Sequence, residues 1–181
     1  MVASRQVALI RGINVGRAKR VAMADLRALV EALGYEDVRT LLNSGNVVFT
    51  APRAASGAAA RIEKGLATEL GVPARVTVLT AAELTAAIAA NPLLEVADNP
   101  SRLLVAVLNN PSDQAKLQPL LEQDWAPEAL ALGPRVAYLW CPDSILESPV
   151  ADAVNRVLRD AVTMRNWATM LKLNALAGDP K

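Results

Sequence analysis

One order of secondary-structure patterns occurs twice along this chain, and it limits the folds open to the chain more than any other feature. In the first occurrence, residues 6–11 read as a strand, residues 23–33 as a helix with one apolar face, and two β-like runs follow. A second helix near residues 62–70 and an alternating strand at 75–79 complete the order β-α-β-β-α-β. This is the order of the ferredoxin-like, or split βαβ, unit.

The stretch LLNSGNVVFT, residues 41–50, is the clearest hairpin of the chain. Its two β-like runs flank Ser44-Gly45, a spacing that predicts a two-residue turn with a positive backbone angle. We expect Asn43 and Asn46 to serve this turn, because Asn bonds nearby backbone and tolerates left-handed angles. We also expect the turn to lie at the end of the sheet where the first strand starts, away from Arg11.

The pattern repeats in the second half as β-α-β-β-α. Residues 103–108 read as a buried strand, and Pro111 opens a helix that Pro119 must end or kink. Two β runs then flank Gly133-Pro134, and Ser148 caps a further helix. The pattern therefore predicts an α+β protein of two ferredoxin-like subdomains packed together, with residues 1–80 in the first subdomain and residues 81–181, including a terminal helix, in the second.

Residues 161–165 leave two interpretations open, because no Gly or Pro interrupts residues 150–176. They form either the last strand of the second subdomain or part of one long bent helix. We favour the strand, since Val162 and Thr163 are β-branched and Asn166 is a suitable cap for the helix that follows.

Composition excludes several kinds of chemistry but does not identify a reaction. Hydrophobic residues make up 52% and charged residues 20% of the 181 residues, which is typical of a globular protein. The one cysteine, Cys141, has no partner for an internal disulfide, which suits a reducing compartment, and histidine is absent. With no apolar N-terminal leader either, we expect a cytoplasmic protein. The sequence predicts no metal site and identifies no cofactor, and it leaves open whether the protein is an enzyme.

The loop RGINVGRAKR, residues 11–20, is the main candidate site. From Arg5 to Arg20 the chain carries five basic residues and no acidic one. Glycines let backbone N–H groups approach an anion, so one interpretation is binding of a phosphate or carboxylate. The other is that Gly12 and Gly16 serve a tight crossover while the basic side chains are solvated, because the loop matches neither nucleotide-binding fingerprint. The candidate ligand-binding residues of this loop are Arg11, Gly12, Asn14, Gly16, Arg17 and Lys19.

A second candidate is the RNW triplet. Arg165 offers a bidentate clamp for an anion and Trp167 a stacking face. The alternative, which we favour, is that Trp167 belongs to the core of a helix that also carries Met170 and Leu171, with Arg165 covering apolar surface.

Two stretches resemble a known bacterial family, the one catalogued as domain of unknown function 1697. They are ALIRGINVGRAKRVAMADLRALVEALGYEDVRTLLNSGNVVF, residues 8–49, and TMRNWATMLKL, residues 163–173. The resemblance implies an α+β fold of two ferredoxin-like subdomains and implies no activity. Relatives often have an Asn or Gly-rich turn after RGINVG, where this chain has RAKR, so a role of that turn in relatives does not transfer directly.

Three functions follow as hypotheses. The first is binding or conversion of a phosphate- or carboxylate-bearing small molecule at loop 11–20. The second, nucleic-acid binding through a sheet, is disfavoured because Phe49 is the only aromatic residue in the first four strands. The third is a protein-interaction role or an oligomer, in which the basic start of the chain meets the acidic segment 110–152, where seven acidic residues face two basic ones.

Overall fold

The computed structural model describes residues 3–17, 19–52 and 57–178. The chain divides into two compact units. The first comprises Met1–Ala82 and Leu173–Lys181, and the second comprises Glu83–Lys172. Each unit contains one four-stranded antiparallel sheet with helices, so the fold is α+β with two similar subdomains, as the sequence pattern predicts.

The first unit follows the β-α-β-β-α-β order. Its elements are β1 (Ser4–Ile10), α1 (Met23–Ala32), β2 (Glu36–Leu41), β3 (Asn46–Ala51), α2 (Ala58–Glu69) and β4 (Val76–Thr80). The strands lie in the order β2-β3-β1-β4, and every neighbouring pair is antiparallel. This is the ferredoxin-like arrangement, with β1 in the interior of the sheet.

The core of the first unit lies between its sheet and its two helices. Ala8 and Ile10 of β1 face the buried side chains of Leu26 from α1 and Ile62 from α2 in one hydrophobic cluster. Val7 and Leu9 of β1 point to the opposite face and are fully buried as well. A strand that is buried on both faces needs apolar residues at successive positions, which explains the unbroken run at residues 7–10.

The second unit repeats the arrangement. Its elements are β5 (Leu103–Leu108), α4 (Gln118–Leu121), β6 (Ala129–Gly133), β7 (Val136–Trp140), α5 (Pro149–Leu158) and β8 (Val162–Asn166). The helices α3 (Ala81–Ala89) and α6 (Trp167–Gly178) precede and follow them, and the boundaries between the two units fall within these helices, after Ala82 and after Lys172. The strands lie in the order β6-β7-β5-β8. Pro111–Leu117 forms a 3-10 helix, and only the short α4, with Pro119 in its first turn, is α-helical, so the helix predicted to open at Pro111 and to end or kink at Pro119 is mostly 3-10.

The chain between α5 and α6 is a strand, which confirms the favoured interpretation of residues 161–165. β8 pairs with β5, with Val105 opposite Arg165. The side chain of Asn166 then accepts a hydrogen bond of 2.9 Å from the Thr169 N–H, and α6 begins at Trp167. The predicted Ser148 cap of α5 is also present, since its Oγ accepts a hydrogen bond from the Ala151 N–H.

The hairpin between β2 and β3 differs from the prediction in length and place. Leu41 pairs with Asn46, so the loop has four residues, 42–45, rather than two. It lies at the end of the sheet where β1 finishes, because Leu9 pairs with Asn46. The expectation that it lies at the opposite end from Arg11 was therefore wrong. The reason is topological: α1 carries the chain back across the sheet, so β2 runs parallel to β1 and ends at the same edge.

Within the described residues, every helix is too short or too polar to cross a lipid bilayer.

Candidate functional site

The loop that follows β1 is held by two neighbouring segments at the edge of the first sheet. The Ile10 N–H donates to the carbonyl of Gly45 in the hairpin loop, at 2.9 Å. The Arg11 N–H donates to the carbonyl of Arg75, just before β4, also at 2.9 Å. The basic loop therefore starts from a rigid junction between three segments of the first unit.

The hairpin loop is shaped by glycine and by close packing. Gly45 has φ +87°, and a Cβ added there would lie 2.8 Å from Cδ1 of Ile13 and 3.0 Å from Cβ of Ile10. Only glycine tolerates both the backbone angle and this approach. The fully buried Asn46 side chain donates to the Leu41 carbonyl and to Ser44 Oγ, both at 2.9 Å, so it serves the loop's own backbone, as turn chemistry predicts.

The second unit has an equivalent junction with a different closure. The Leu108 N–H donates to the Arg135 carbonyl at 3.1 Å, and the Asn109 N–H donates to the Ala161 carbonyl at 2.9 Å. The Arg135 guanidinium donates back to the Leu108 carbonyl at 3.0 Å and contacts Glu83 at 3.1 Å. In the second unit the side chain of Arg135 makes the contacts at this edge of the sheet, whereas in the first unit Gly45 packs against Ile13.

Asn14 fastens the basic loop to its surroundings. Its Nδ2 donates to the Val21 carbonyl at 2.8 Å and to the Asn43 carbonyl at 2.7 Å, while its Oδ1 accepts from the Val21 N–H at 2.8 Å. Its φ of +56° is left-handed, which Asn accepts more readily than most residues. Both amide hydrogens are used within the protein, so Asn14 positions the loop and has no amide hydrogen left to donate to a ligand.

The basic side chains divide into two roles. The Arg20 guanidinium donates to the carbonyls of Gly16, at 2.9 Å, and Asn14, at 3.4 Å, so it holds the loop from outside. Arg17 and Lys19 are exposed, and Arg11 is half-buried. The Asn14 N–H also donates to the Lys19 carbonyl at 3.0 Å, which closes the loop at its base. Arg17 and Lys19 are therefore exposed charges on a loop that is tied on both sides, and Arg20, which is also exposed, is one of the residues that tie it.

Gly12 and Gly16 expose the backbone of the basic loop to solvent. Their φ values are +70° and +55°, both residues are exposed, and an added Cβ at either would meet no atom within 4 Å. Among the described residues, neither N–H has a hydrogen-bond partner. The backbone here is accessible to a ligand, and substitution at these positions is limited by the angle rather than by space.

The other two predicted site residues lie in the second unit, whereas the loop residues lie in the first. Arg165 is half-buried on β8 and donates to the Met164 carbonyl at 2.9 Å, and burial lowers the pKa of its guanidinium to about 10. Trp167 is 6% exposed at the start of α6, and this burial agrees with the core interpretation.

The structure also gathers acidic residues that the sequence shows only as a run of negative charge. A cavity of about 400 Å³ in the second unit is lined by Asp124, Glu128, Asp143 and Glu147 beside Trp125. Glu128 is partly engaged, because it accepts a hydrogen bond of 2.9 Å from the Val150 N–H at the start of α5. In the parts of the chain that are described, no three potential metal ligands converge on one point.

Cys141 is a free and fully buried thiol. Burial raises the pKa of this thiol, a hydrogen bond with Ser148 opposes that change, and the nearby Glu128 carboxylate adds to it. A thiol kept neutral and out of solvent is a poor nucleophile, so Cys141 serves as a structural residue of the core of the second unit.

The structure does not favour nucleic-acid binding through the first sheet. Phe49 lies in the hydrophobic cluster beneath the helices, with its ring 4.6 Å from that of Tyr35. On the opposite face Val7, Val48 and Leu79 are at most 1% exposed, so that face offers no stacking platform for bases. The interaction hypothesis for the basic and acidic segments stays a prediction.

Comparison with known proteins identifies a family without assigning a reaction. A structure described as that of the conserved bacterial protein SP0830 from Streptococcus pneumoniae is similar to this chain, with a TM-score of 0.79 and 23% sequence identity. The match covers 97% of this chain and 99% of the other, and it supports the fold alone. No curated protein matches. A family model described as "Protein of unknown function (DUF1697)" matches residues 3–138, and the chain belongs to this family.

Proposed function

We propose that this protein binds a small molecule bearing a phosphate or carboxylate group at the basic loop, which we define as residues 11–17 with Lys19 and Arg20. One observation supports this most: Arg17 and Lys19 stand exposed on a loop whose backbone is tied to the hairpin loop, to the start of β4 and to itself. No acidic residue lies between Arg5 and Arg20 to neutralise them.

The anchoring of the loop matters because it lowers the cost of binding. A loop that already holds its bound shape loses little conformational freedom when an anion arrives. Arg20 contributes to this preorganisation through the Gly16 carbonyl, while Gly12 and Gly16 leave backbone accessible beside the charges. In this proposal Arg17 and Lys19 attract the anion, and Asn14 and Arg20 position the loop.

Exposed charges alone bind weakly. Each exposed ion pair contributes roughly 0.2–1 kcal/mol, so two of them supply about 2 kcal/mol at most. A dissociation constant of about 1 mM corresponds to about 4 kcal/mol. Backbone hydrogen bonds or apolar contacts must therefore add to the charges if binding is to reach the millimolar range.

The proposal is tested by titrating the full chain with inorganic phosphate, pyrophosphate and citrate while amide chemical shifts are recorded. We expect shifts at Gly12 and Gly16 that saturate and that weaken as salt is added, because the attraction is electrostatic. The variant Arg17→Ala/Lys19→Ala should lose them.

Arg27→Ala/Lys64→Ala is the matched control, since it removes the same charge from the exposed helix surfaces of the same unit. Binding that survives in the loop variant, or that falls equally in both variants, contradicts the proposal.

We also propose a cytoplasmic location, because an unpaired buried thiol at Cys141 suits a reducing compartment.

A further inference from the structure

We propose that the ligand of the basic loop is amphipathic, an anion that carries an apolar chain, such as an alkyl phosphate or a fatty carboxylate. This inference rests on the proposed function and specifies its ligand class. It starts from two apolar side chains at the site, Val15 in the basic loop and Leu42 in the hairpin loop, which are 62% and 50% exposed.

Val15 and Leu42 belong to two loops that are joined to each other. Val15 follows Asn14, and Leu42 precedes Asn43, and these two asparagines are linked by the 2.7 Å hydrogen bond from Asn14 Nδ2 to the Asn43 carbonyl. The close approach of Gly45 to Ile13 fixes the same two loops a second time. The apolar side chains are therefore carried on two loops that are bonded and packed against each other.

The backbone of Leu42 is strained. Its φ is +57°, in the left-handed region where Asn and Gly are favoured and a Leu is strained. Half of its side chain is in solvent, so burial offsets that cost only in part. Strained non-glycine residues are typical of functional sites, and contact with an apolar group of a ligand explains why leucine stands here.

The charges beside these side chains determine which apolar ligand fits. Arg17 lies two residues after Val15, Lys19 follows, and the loop holds no acidic residue. A wholly apolar ligand would leave these cations without a partner, whereas an amphipathic anion places its head group at Arg17 and Lys19 and its chain against Val15 and Leu42. The apolar contact also supplies the affinity that exposed charges lack.

The test compares two ligands with one head group, ethyl phosphate and octyl phosphate, each kept below the concentration at which it forms micelles. We expect the full chain to bind octyl phosphate at least about tenfold more tightly, because its longer chain removes more apolar surface from water. Leu42→Asn should reduce that preference severalfold and leave ethyl phosphate binding unchanged. Asn adopts the left-handed angle without difficulty, so this variant is expected to fold.

Leu146→Asn is the matched control. It makes the same replacement at a leucine of the second unit that is 87% exposed, and it should leave both affinities unchanged. Equal affinity for the two phosphates, or no effect of Leu42→Asn, overturns the amphipathic ligand and leaves anion binding intact. Absence of binding to either phosphate overturns the proposed function as well. Binding to vesicles of anionic phospholipid without binding to monomeric octyl phosphate also overturns the inference, in favour of adsorption to a membrane surface.

Discussion

The junction beneath the basic loop predicts that Gly45→Ala is strongly destabilising. The new methyl group would lie 2.8 Å from Ile13 Cδ1 and 3.0 Å from Ile10 Cβ, and the residue would keep a φ of +87°. Ile10 and Ile13 are both at most 1% exposed, so neither has free space into which to move. The hydrogen bond from the Ile10 N–H to the Gly45 carbonyl ties the same residue to β1 and resists a shift of the backbone.

The magnitude has two parts. An L-residue in the left-handed region costs roughly 1–2 kcal/mol. Forcing a methyl group into a packed site costs about 1–3 kcal/mol more. Ala also restricts the unfolded chain, which returns about 0.4–1 kcal/mol. We therefore expect a loss of about 2–4 kcal/mol in the free energy of unfolding of the first unit.

Gly34→Ala provides the comparison, because it lies in the same unit and isolates the backbone part. Gly34 has φ +90°, almost the same angle, and an added Cβ there meets nothing within 4 Å. The difference between the two variants is then the steric part alone. Urea denaturation followed by far-UV circular dichroism gives both values, and amide hydrogen exchange at Ile10 reports the first unit directly.

A cost for Gly45→Ala no larger than that for Gly34→Ala would refute the steric reasoning. A double-mutant cycle adds a sharper check. Ile13→Val removes the methyl group nearest to the new Cβ, so Gly45→Ala should be less harmful in the Ile13→Val background than alone. Simple additivity of the two substitutions would show that the close approach carries no energy.

Two further predictions concern single side chains. Asn14→Ala should lower the free energy of unfolding by about 2–3 kcal/mol, because it leaves Val21 and Asn43 without their partners and strains the backbone at φ +56°. Asn14→Gly should cost less, since glycine removes the strain. Thermal melts of both variants check this order. Burial raises the pKa of Tyr138 from 10 to about 12, so the folded state favours the neutral phenol. The resulting contribution to the free energy of unfolding is complete below pH 10 and is lost as pH rises from about 10 to 12. Because other groups titrate in that range, the measurement is the difference in unfolding free energy between the wild type and Tyr138→Phe, which should shrink between pH 10 and 12. A difference that stays constant over this range would contradict the prediction.

Local pattern was sufficient for most of the fold. Apolar alternation and helical spacing predict the strands and helices of both units in their correct order, and that order leads to the ferredoxin-like arrangement. Single residues also predict helix ends and strands correctly where their effect is local. Ser148 and Asn166 cap helices as their side chains predict, and β-branched residues indicate β8 where a continuous helix was the alternative.

Errors arise where the answer depends on residues far apart in the chain. The loop length of the β2–β3 hairpin follows from the pairing of Leu41 with Asn46, which the dipeptide Ser44-Gly45 does not reveal.

The candidate site shows the same division. By itself the sequence determined that a glycine-bearing, acid-free basic loop follows β1, since composition is a local property. Only the tertiary structure decided that the hairpin loop lies against this loop, that both amide hydrogens of Asn14 are used within the protein, and that Val15 and Leu42 are both exposed on these two hydrogen-bonded loops. These outcomes depend on the crossover that makes β2 parallel to β1, and contacts across such a crossover join residues about thirty positions apart, far beyond the reach of helical or strand periodicity.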